Sequence, residues 1–216
     1  MKLSQWLLDL IFPPLCPFCH DVLDKNLLFC ANCQNELPWN EEENHYCWEN
    51  HGILCIAPLW YRDHVLDGVH RFKFNGVRQY AHNFGTLMAQ TIPKDHTYDY
   101  ITWAPIAPKR LKKRGYNQAE LLAKVISDEL NLPSLDLLEK YKETLPQSSL
   151  HDDTKRFENV KDSYRLRQNQ DLLRGKSILF VDDVLTTGNT MSACAQTLLA
   201  GGARSVSCVV LARSRK

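Results

Sequence analysis

Residues 177–213 constrain the fold more than any other stretch. "SILFVDD" is an apolar run that ends in two adjacent acids, Asp182 and Asp183. An unbroken apolar run of this length suits a strand buried on both faces, as strands of parallel sheets are. "TMSACAQTLLAGGA" follows with a helical pattern and stops at Gly201-Gly202, and "SVSCVVLAR" is a second buried strand. Strand, helix, strand in that order predicts a right-handed parallel βαβ unit. Upstream, "YDYITWAPIAP" reads as a strand ending at prolines, and "NQAELLAKVISDEL" as a helix stopped before Pro133. "HVLDGVHRFKFNGVRQYAHNFGTLMAQTI" reads as two helical stretches broken near Asn75-Gly76. The expected class is an α/β domain over residues 60–216.

Ligands of open α/β sheets bind at the carboxyl ends of strands. The acid pair is expected at such an end, and "VLTTGNT" then leads into a helix N-terminus. Unpaired N–H groups and the positive end of the helix dipole favour phosphate there. Thr186, Thr187 and Thr190 add hydroxyl donors, and Gly188 lets the backbone come close to a ligand. The carboxylates can accept hydrogen bonds from ribose hydroxyls and organise Mg2+ through water. A Walker loop is excluded, because its lysine is missing and the spacing is wrong. The plain alternative is a polar strand end followed by a helix cap.

Six of the eight cysteines precede residue 56, which marks a small N-terminal module. "CPFCHDVLDKNLLFCANC" sets Cys16-x2-Cys19 ten residues before Cys30-x2-Cys33. Two CxxC turns facing each other make the tetrahedral four-sulfur site that Zn2+ prefers, and four protein ligands make it structural. A redox dithiol explains one pair and leaves the other without a role. The four reduced cysteines of an ordinary surface or core are the bland reading. "HYCWENHGILC" holds Cys47, Cys55, His45 and His51 at a spacing that fits no standard site, and packing without a metal is the simpler account. Cys194 and Cys208 sit in apolar patterns and are expected in the core.

A length of 216 residues and a 44% hydrophobic content allow one ordinary domain plus a small one. The expected division is a zinc ribbon with an amphipathic helix over 1–40, a linker over 41–59, and the α/β domain over 60–216. A net charge of +1 names no polyanionic partner. No apolar run approaches the roughly 18 residues of a membrane span. "MKLSQWLLDLIFPPLC" makes a poor signal peptide, with one lysine and an interrupting Asp9, so a reducing, cytoplasmic setting is expected for the thiols. "KRLKKR" (109–114) has five basic residues in six, set after a strand end. Lys109, Arg110 and Arg114 are candidates for the pyrophosphate side of a ligand, and Lys112, Lys113 and Arg114 for DNA phosphates. A solvated helix face is the alternative. Phe72, Phe74, Tyr80 and Tyr116 can stack bases or fill the core. Residues 142–162, polar and weakly patterned, are expected to form a functional flap.

"ILFVDDVLTTGNT" resembles the 5-phosphoribosyl 1-pyrophosphate (PRPP) motif of type I phosphoribosyltransferases. "PIAPKRLKKRGYNQAELLA" resembles the RGxNQ segment of the ComF family (ComFC or GntX-like proteins), and "HRFKFNG" and "TLPQSSLHDDTKRFENV" resemble further segments of it. The family also carries an N-terminal CxxC…CxxC module, so the resemblance runs in order over nearly the whole chain. It implies a type I phosphoribosyltransferase-like fold, a mainly parallel sheet flanked by helices, behind a small zinc ribbon. It implies ribose contacts from Asp182 and Asp183 and phosphate contacts from Thr186, Thr187, Gly188, Asn189 and Thr190. It further implies a competence role in DNA uptake and natural transformation, with single-stranded DNA and other uptake or recombination proteins as partners. The alternative is an Mg2+-dependent phosphoribosyltransferase that uses PRPP and an unidentified acceptor. A zinc-ribbon adaptor would leave the acid pair unexplained. Many members carry a second cysteine set, of which only Cys47 and Cys55 remain here.

Overall fold

The structure, a computed structural model, describes residues 13–24, 26–41, 45–48, 53–142, 163–167 and 170–214. The expected N-terminal amphipathic helix and nearly all of the expected 142–162 flap lie outside these residues. A six-stranded sheet forms the centre, with β1 (His45–Trp48), β2 (Ile53–Ile56), β3 (Leu59–Trp60), β4 (Tyr100–Trp103), β7 (Ser177–Leu185) and β8 (Ser205–Arg213). Its order is β1-β2-β8-β7-β4, with β3 also pairing β8, and every pair except β1–β2 is parallel.

β7 is the buried central strand that its apolar run predicts. Ile178, Leu179, Phe180 and Val181 have no exposed surface. The strand differs from expectation at its far end. It runs past the acid pair to Leu185, pairing Val184 with Ala212 and Leu185 with Arg213, because β8 is equally long. Residues 53–60 also differ from expectation. They run along β8 as β2 and β3 rather than only linking two domains. Short strands broken by Ala57-Pro58 give too little alternation to be read from sequence. Arg213, buried at 4% exposure, fixes this edge by stacking 4.3 Å over the Trp60 ring.

The helices are α1 (Ala31–Glu36), α2 (His64–Phe74), α3 (Tyr80–Thr91), α4 (Pro108–Arg114), α5 (Gln118–Leu130) and α6 (Asn189–Ala200). α3 and α5 pack on each other and on the sheet, and α6 packs on β7 and β8. A two-stranded sheet of β5 (Leu138–Lys140) and β6 (Tyr164–Leu166) flanks residues 143–162 in the sequence. The zinc-ribbon region shares the main core through Phe18, whose ring meets Phe84 at 5.4 Å and Phe29 at 5.8 Å. α2 holds it from below. The Arg71 guanidinium donates to the carbonyls of Pro17 and Phe18, and a Cβ at Gly68 would stand 2.7 Å from the Pro17 oxygen. Asn83 donates to the Leu28 carbonyl at 2.7 Å. The ribbon therefore borrows a core it is too small to build.

α3 meets α5 at Gly85, where a Cβ would lie 2.6 Å from Val125 Cβ. Gly85→Ala is expected to overpack this contact and cost about 1–3 kcal/mol, read as a lowered melting temperature by calorimetry; an unchanged value would show that the helices can separate freely.

Candidate functional site

The carboxyl end of β4 lies beside Val181 of β7, just before the acid pair, where the Ala104 N–H continues their ladder to the Val181 carbonyl at 2.9 Å. Beyond them opens a polar cavity of about 270 Å³. Asp182 and Asp183 line it, with Thr186 and Thr190 from the loop and first turn of α6. Gly188 supplies the left-handed turn (φ +76°) that starts α6. Thr187, Gly188 and Asn189 belong to the same turn but are not lining residues. A second helix start reaches the cavity through Asn117, Gln118 and Ala119 at the head of α5. Two helix N-termini thus present positive ends to one space.

The segment "RGYNQ" builds the opposite wall, one role per residue. Arg114 enters the cavity and donates to Gln118 Oε1 at 2.9 Å. Gly115 closes α4 in the left-handed conformation, with φ +78°. Tyr116 is buried, donates its hydroxyl to the Phe72 carbonyl of α2, and lies 4.8 Å beneath the Arg78 guanidinium. Asn117 caps α5 by accepting from the Ala119 N–H at 3.1 Å, and donates to the Ala104 carbonyl at 2.9 Å. Buried Gln118 holds Arg114 in place.

Four cationic side chains, Lys73, Arg110, Arg114 and Lys140, line the cavity against two acids, Asp182 and Asp183. That balance suits an anion which also carries groups for carboxylates to accept from. Lys73 Nζ stands 2.7 Å from Asp183 Oδ1. Burial works against the Lys73 ammonium, but the Asp183 charge outweighs it and holds its pKa above the usual value. Burial, then the charge of Asp183, pushes the Asp182 carboxyl up to about 7, against the Asp183 N–H that it accepts at 2.8 Å. Burial also lowers Arg114 and Lys140 from their ordinary values.

The basic run divides. Arg110 and Arg114 line the cavity, while Lys109 does not and Lys112 and Lys113 are exposed on α4. Of the four aromatics, Phe72, Tyr80 and Tyr116 are core and Phe74 is exposed. Sequence reasoning passed over Tyr61, Lys73, Lys140 and Tyr164 as lining residues. Lys73 stands inside "HRFKFNG", a segment with a family resemblance of its own, and that is the signal that could have found it. Lys140 and Tyr164, 3.3 Å apart, come from the facing strands β5 and β6, which no local pattern joins.

The four cysteine sulfurs of Cys16, Cys19, Cys30 and Cys33 lie within 4.8 Å of one another. A tetrahedral Zn2+ at about 2.3 Å from each sulfur needs roughly 3.8 Å between them, so the quartet fits the ion. Cys16 and Cys19 sit on a turn closed by the Leu15–Val22 bridge, with His20 at φ +73°. Cys30 is the N-cap of α1, and Cys33 lies in its first turn. Among the described residues this is the group that can hold a metal. Cys55 is fully buried beside Cys208 in the sheet, where burial pushes its thiol up to about 12. His51 lies outside the described residues, as do the side chains of His45 and Cys47. The purified protein is expected to carry at least one zinc by metal analysis, and Cys19→Ala with Cys33→Ala to lose that equivalent and melt lower. A doubly substituted protein with the same zinc content would overturn the ligand set.

A family model described as a phosphoribosyl transferase domain matches residues 113–216, and one described as a double zinc ribbon domain matches residues 7–49. The chain is 28% identical over 186 residues to the competence protein ComFC of Streptococcus pneumoniae, covering 85% of this chain and 80% of that one. It is 26% identical over 215 residues to the competence protein F of Haemophilus influenzae, covering 93% and 90%. It is 26% identical over 208 residues to the DNA utilization protein YhgH of Escherichia coli, covering 93% and 84%. The chain is thus a homologue of these three proteins, with a type I phosphoribosyltransferase-like domain behind an N-terminal zinc ribbon.

Proposed function

We propose that this protein acts in DNA uptake and transformation, and that its cavity is a ribose-phosphate pocket of the PRPP type. The observation that carries the pocket reading is the acid pair set in a cavity where cations and two helix N-termini surround it. In this reading Asp182 and Asp183 accept from the ribose 2′ and 3′ hydroxyls. The turn from Thr186 to Thr190 takes the 5′-phosphate at the start of α6. Arg110, Arg114 and Lys140 face a pyrophosphate, and Lys109, exposed in the first turn of α4, adds long-range charge. Mg2+, held through water by the acid pair, would supply further charge neutralisation. The uptake role rests on the names of the relatives, competence proteins and a DNA utilization protein. Lys112 and Lys113, exposed on α4 beside the cavity-lining Arg114, offer single-stranded DNA a place for its phosphates. Cytoplasmic action fits reduced, metal-ready thiols and the absence, among the described residues, of a helix able to cross a membrane.

The second reading, enzymatic transfer, is favoured by the same charge arrangement. The bond from ribose C1 to pyrophosphate would break and a bond to an acceptor nucleophile would form, with the cations stabilising the departing charge. Lys73 would release Asp183 as the hydroxyls arrive.

PRPP with Mg2+ is expected to raise the melting temperature of the protein, and Asp182→Asn with Asp183→Asn to abolish that rise; an undiminished shift places the ligand elsewhere. The raised Asp182 carboxyl has a sign consequence. Below pH 7 a proton competes with the ligand, so affinity should grow by up to about tenfold per unit as pH rises towards 7 and level off above it. Asp182→Asn should flatten the profile, and a flat profile in the unaltered protein would contradict the role of Asp182. Lys112→Gln with Lys113→Gln should weaken single-stranded DNA binding and cut the salt slope by about 0.7 for each phosphate no longer neutralised. An unchanged slope would assign the run to something else. Transformation assays on the same two double variants, at matched protein levels, separate the pocket from the basic face.

A further inference from the structure

Three consecutive residues of α2 take three different environments. Phe72 is buried at 1% exposure, Lys73 lines the cavity, and Phe74 is 57% exposed at the last position of the helix. Phe74 has no place in the core, yet its ring is held. The His70 ring lies 4.8 Å from it, one helical turn back, and the Arg114 guanidinium stands 4.8 Å over it. Arg114 is itself a wall of the cavity and is fixed by Gln118. The exposed ring therefore begins where the cavity ends.

The cavity is also small. At about 270 Å³ it falls just under the roughly 300–1,000 Å³ of pockets that take drug-sized ligands, and its lining is mainly polar. A sugar phosphate suits that space. A base joined to the sugar has to lie at the rim. Every nucleobase offers a π-face to an aromatic ring, and guanidinium planes stack on bases in the same way. Lys112 and Lys113 lie on the same helix as Arg114 and carry positive charge out from the rim.

We propose that Phe74, flanked by His70 and Arg114, is a nucleobase-stacking platform at the mouth of the cavity. The proposal rests on the ribose-phosphate reading of the cavity and adds the base to it. The base comes either from a mononucleotide seated in the cavity or from a single strand lying along α4.

The test compares the unaltered protein with Phe74→Ala and Phe74→Trp, using AMP, ribose 5-phosphate, and a single-stranded oligonucleotide carrying 2-aminopurine. Phe74→Ala should weaken AMP about tenfold or more and leave ribose 5-phosphate unchanged, since stacking on one ring is worth that much per base. Phe74→Trp should restore binding. The 2-aminopurine quench on binding should fall with Phe74→Ala and return with Phe74→Trp. An effect confined to AMP assigns the base to a nucleotide in the cavity, and an effect confined to the oligonucleotide assigns it to a strand; both uphold the platform. No change for either probe overturns it, and so does an equal loss for AMP and ribose 5-phosphate, which marks a structural role. If the unaltered protein binds neither small ligand, the ribose-phosphate reading fails and the oligonucleotide arm alone decides the platform. An unchanged melting temperature checks that the exposed site leaves the fold intact.

Discussion

The burial of β7 between β4 and β8 is the constraint on which the site depends. Its first five residues are buried, so the strand cannot slide or turn without exposing them. That fixes where Asp182 and Asp183 emerge, and it makes their charge costly. The structure answers the cost unevenly. Asp183 has Lys73 at 2.7 Å, whereas Asp182 accepts mainly a backbone N–H and is left near neutrality in its preference for a proton. The raised Asp182 carboxyl can therefore accept a hydrogen bond or exchange a proton with what enters the cavity.

The remaining walls are assembled from distant segments and tied together by hydrogen bonds. Tyr116 anchors on the α2 backbone, Asn117 ties the β4 loop to α5, and Gln118 holds Arg114. These residues shape the cavity without using up its charges. The zinc ribbon enters the same arrangement through α2, whose Gly68 and Arg71 seat the first cysteine turn two residues before Lys73 reaches Asp183.

What the sequence made legible was whatever lies within one contiguous stretch. The β7–α6–β8 unit reads directly, because its apolar runs are long and its breakers sit between them. The cysteine quartet reads directly, because its two pairs are short loops at a ligand spacing. The acid pair and the Thr186–Thr190 turn are neighbours in the chain, and Asp182, Asp183, Thr186 and Thr190 line one cavity. Lys73, Lys140 and Tyr164 escaped notice because their meeting point is created only by packing of α2 and the β5–β6 pair around β7. Helical spacing does separate Phe72, which shares the face of Val65 and Val69, from Phe74 on the opposite face. Packing against Phe84 and Tyr116 holds Phe72 inside, while Phe74 is left to His70 and Arg114. β2 and β3 were hidden for another reason. They are short segments of four and two residues, whose strand character comes from their neighbours, β1 and β8 for β2 and β8 for β3.

The sheet order carries a consequence for biosynthesis. β7 and β8 stand at the centre of the sheet yet follow β1 to β4 in the chain. While a ribosome extends the chain past β4, neither β3 nor β4 has its partner, and β2 has only β1. Closing these long-range pairs is entropically slow, and apolar strands waiting for them are prone to wrong associations. The cysteine turns come early and can take a metal at once, but Phe18 packs on Phe84 and Arg71 holds the Pro17 and Phe18 carbonyls, so the ribbon completes its packing only when α2 and α3 have emerged, still well before residues 177–213 close the sheet.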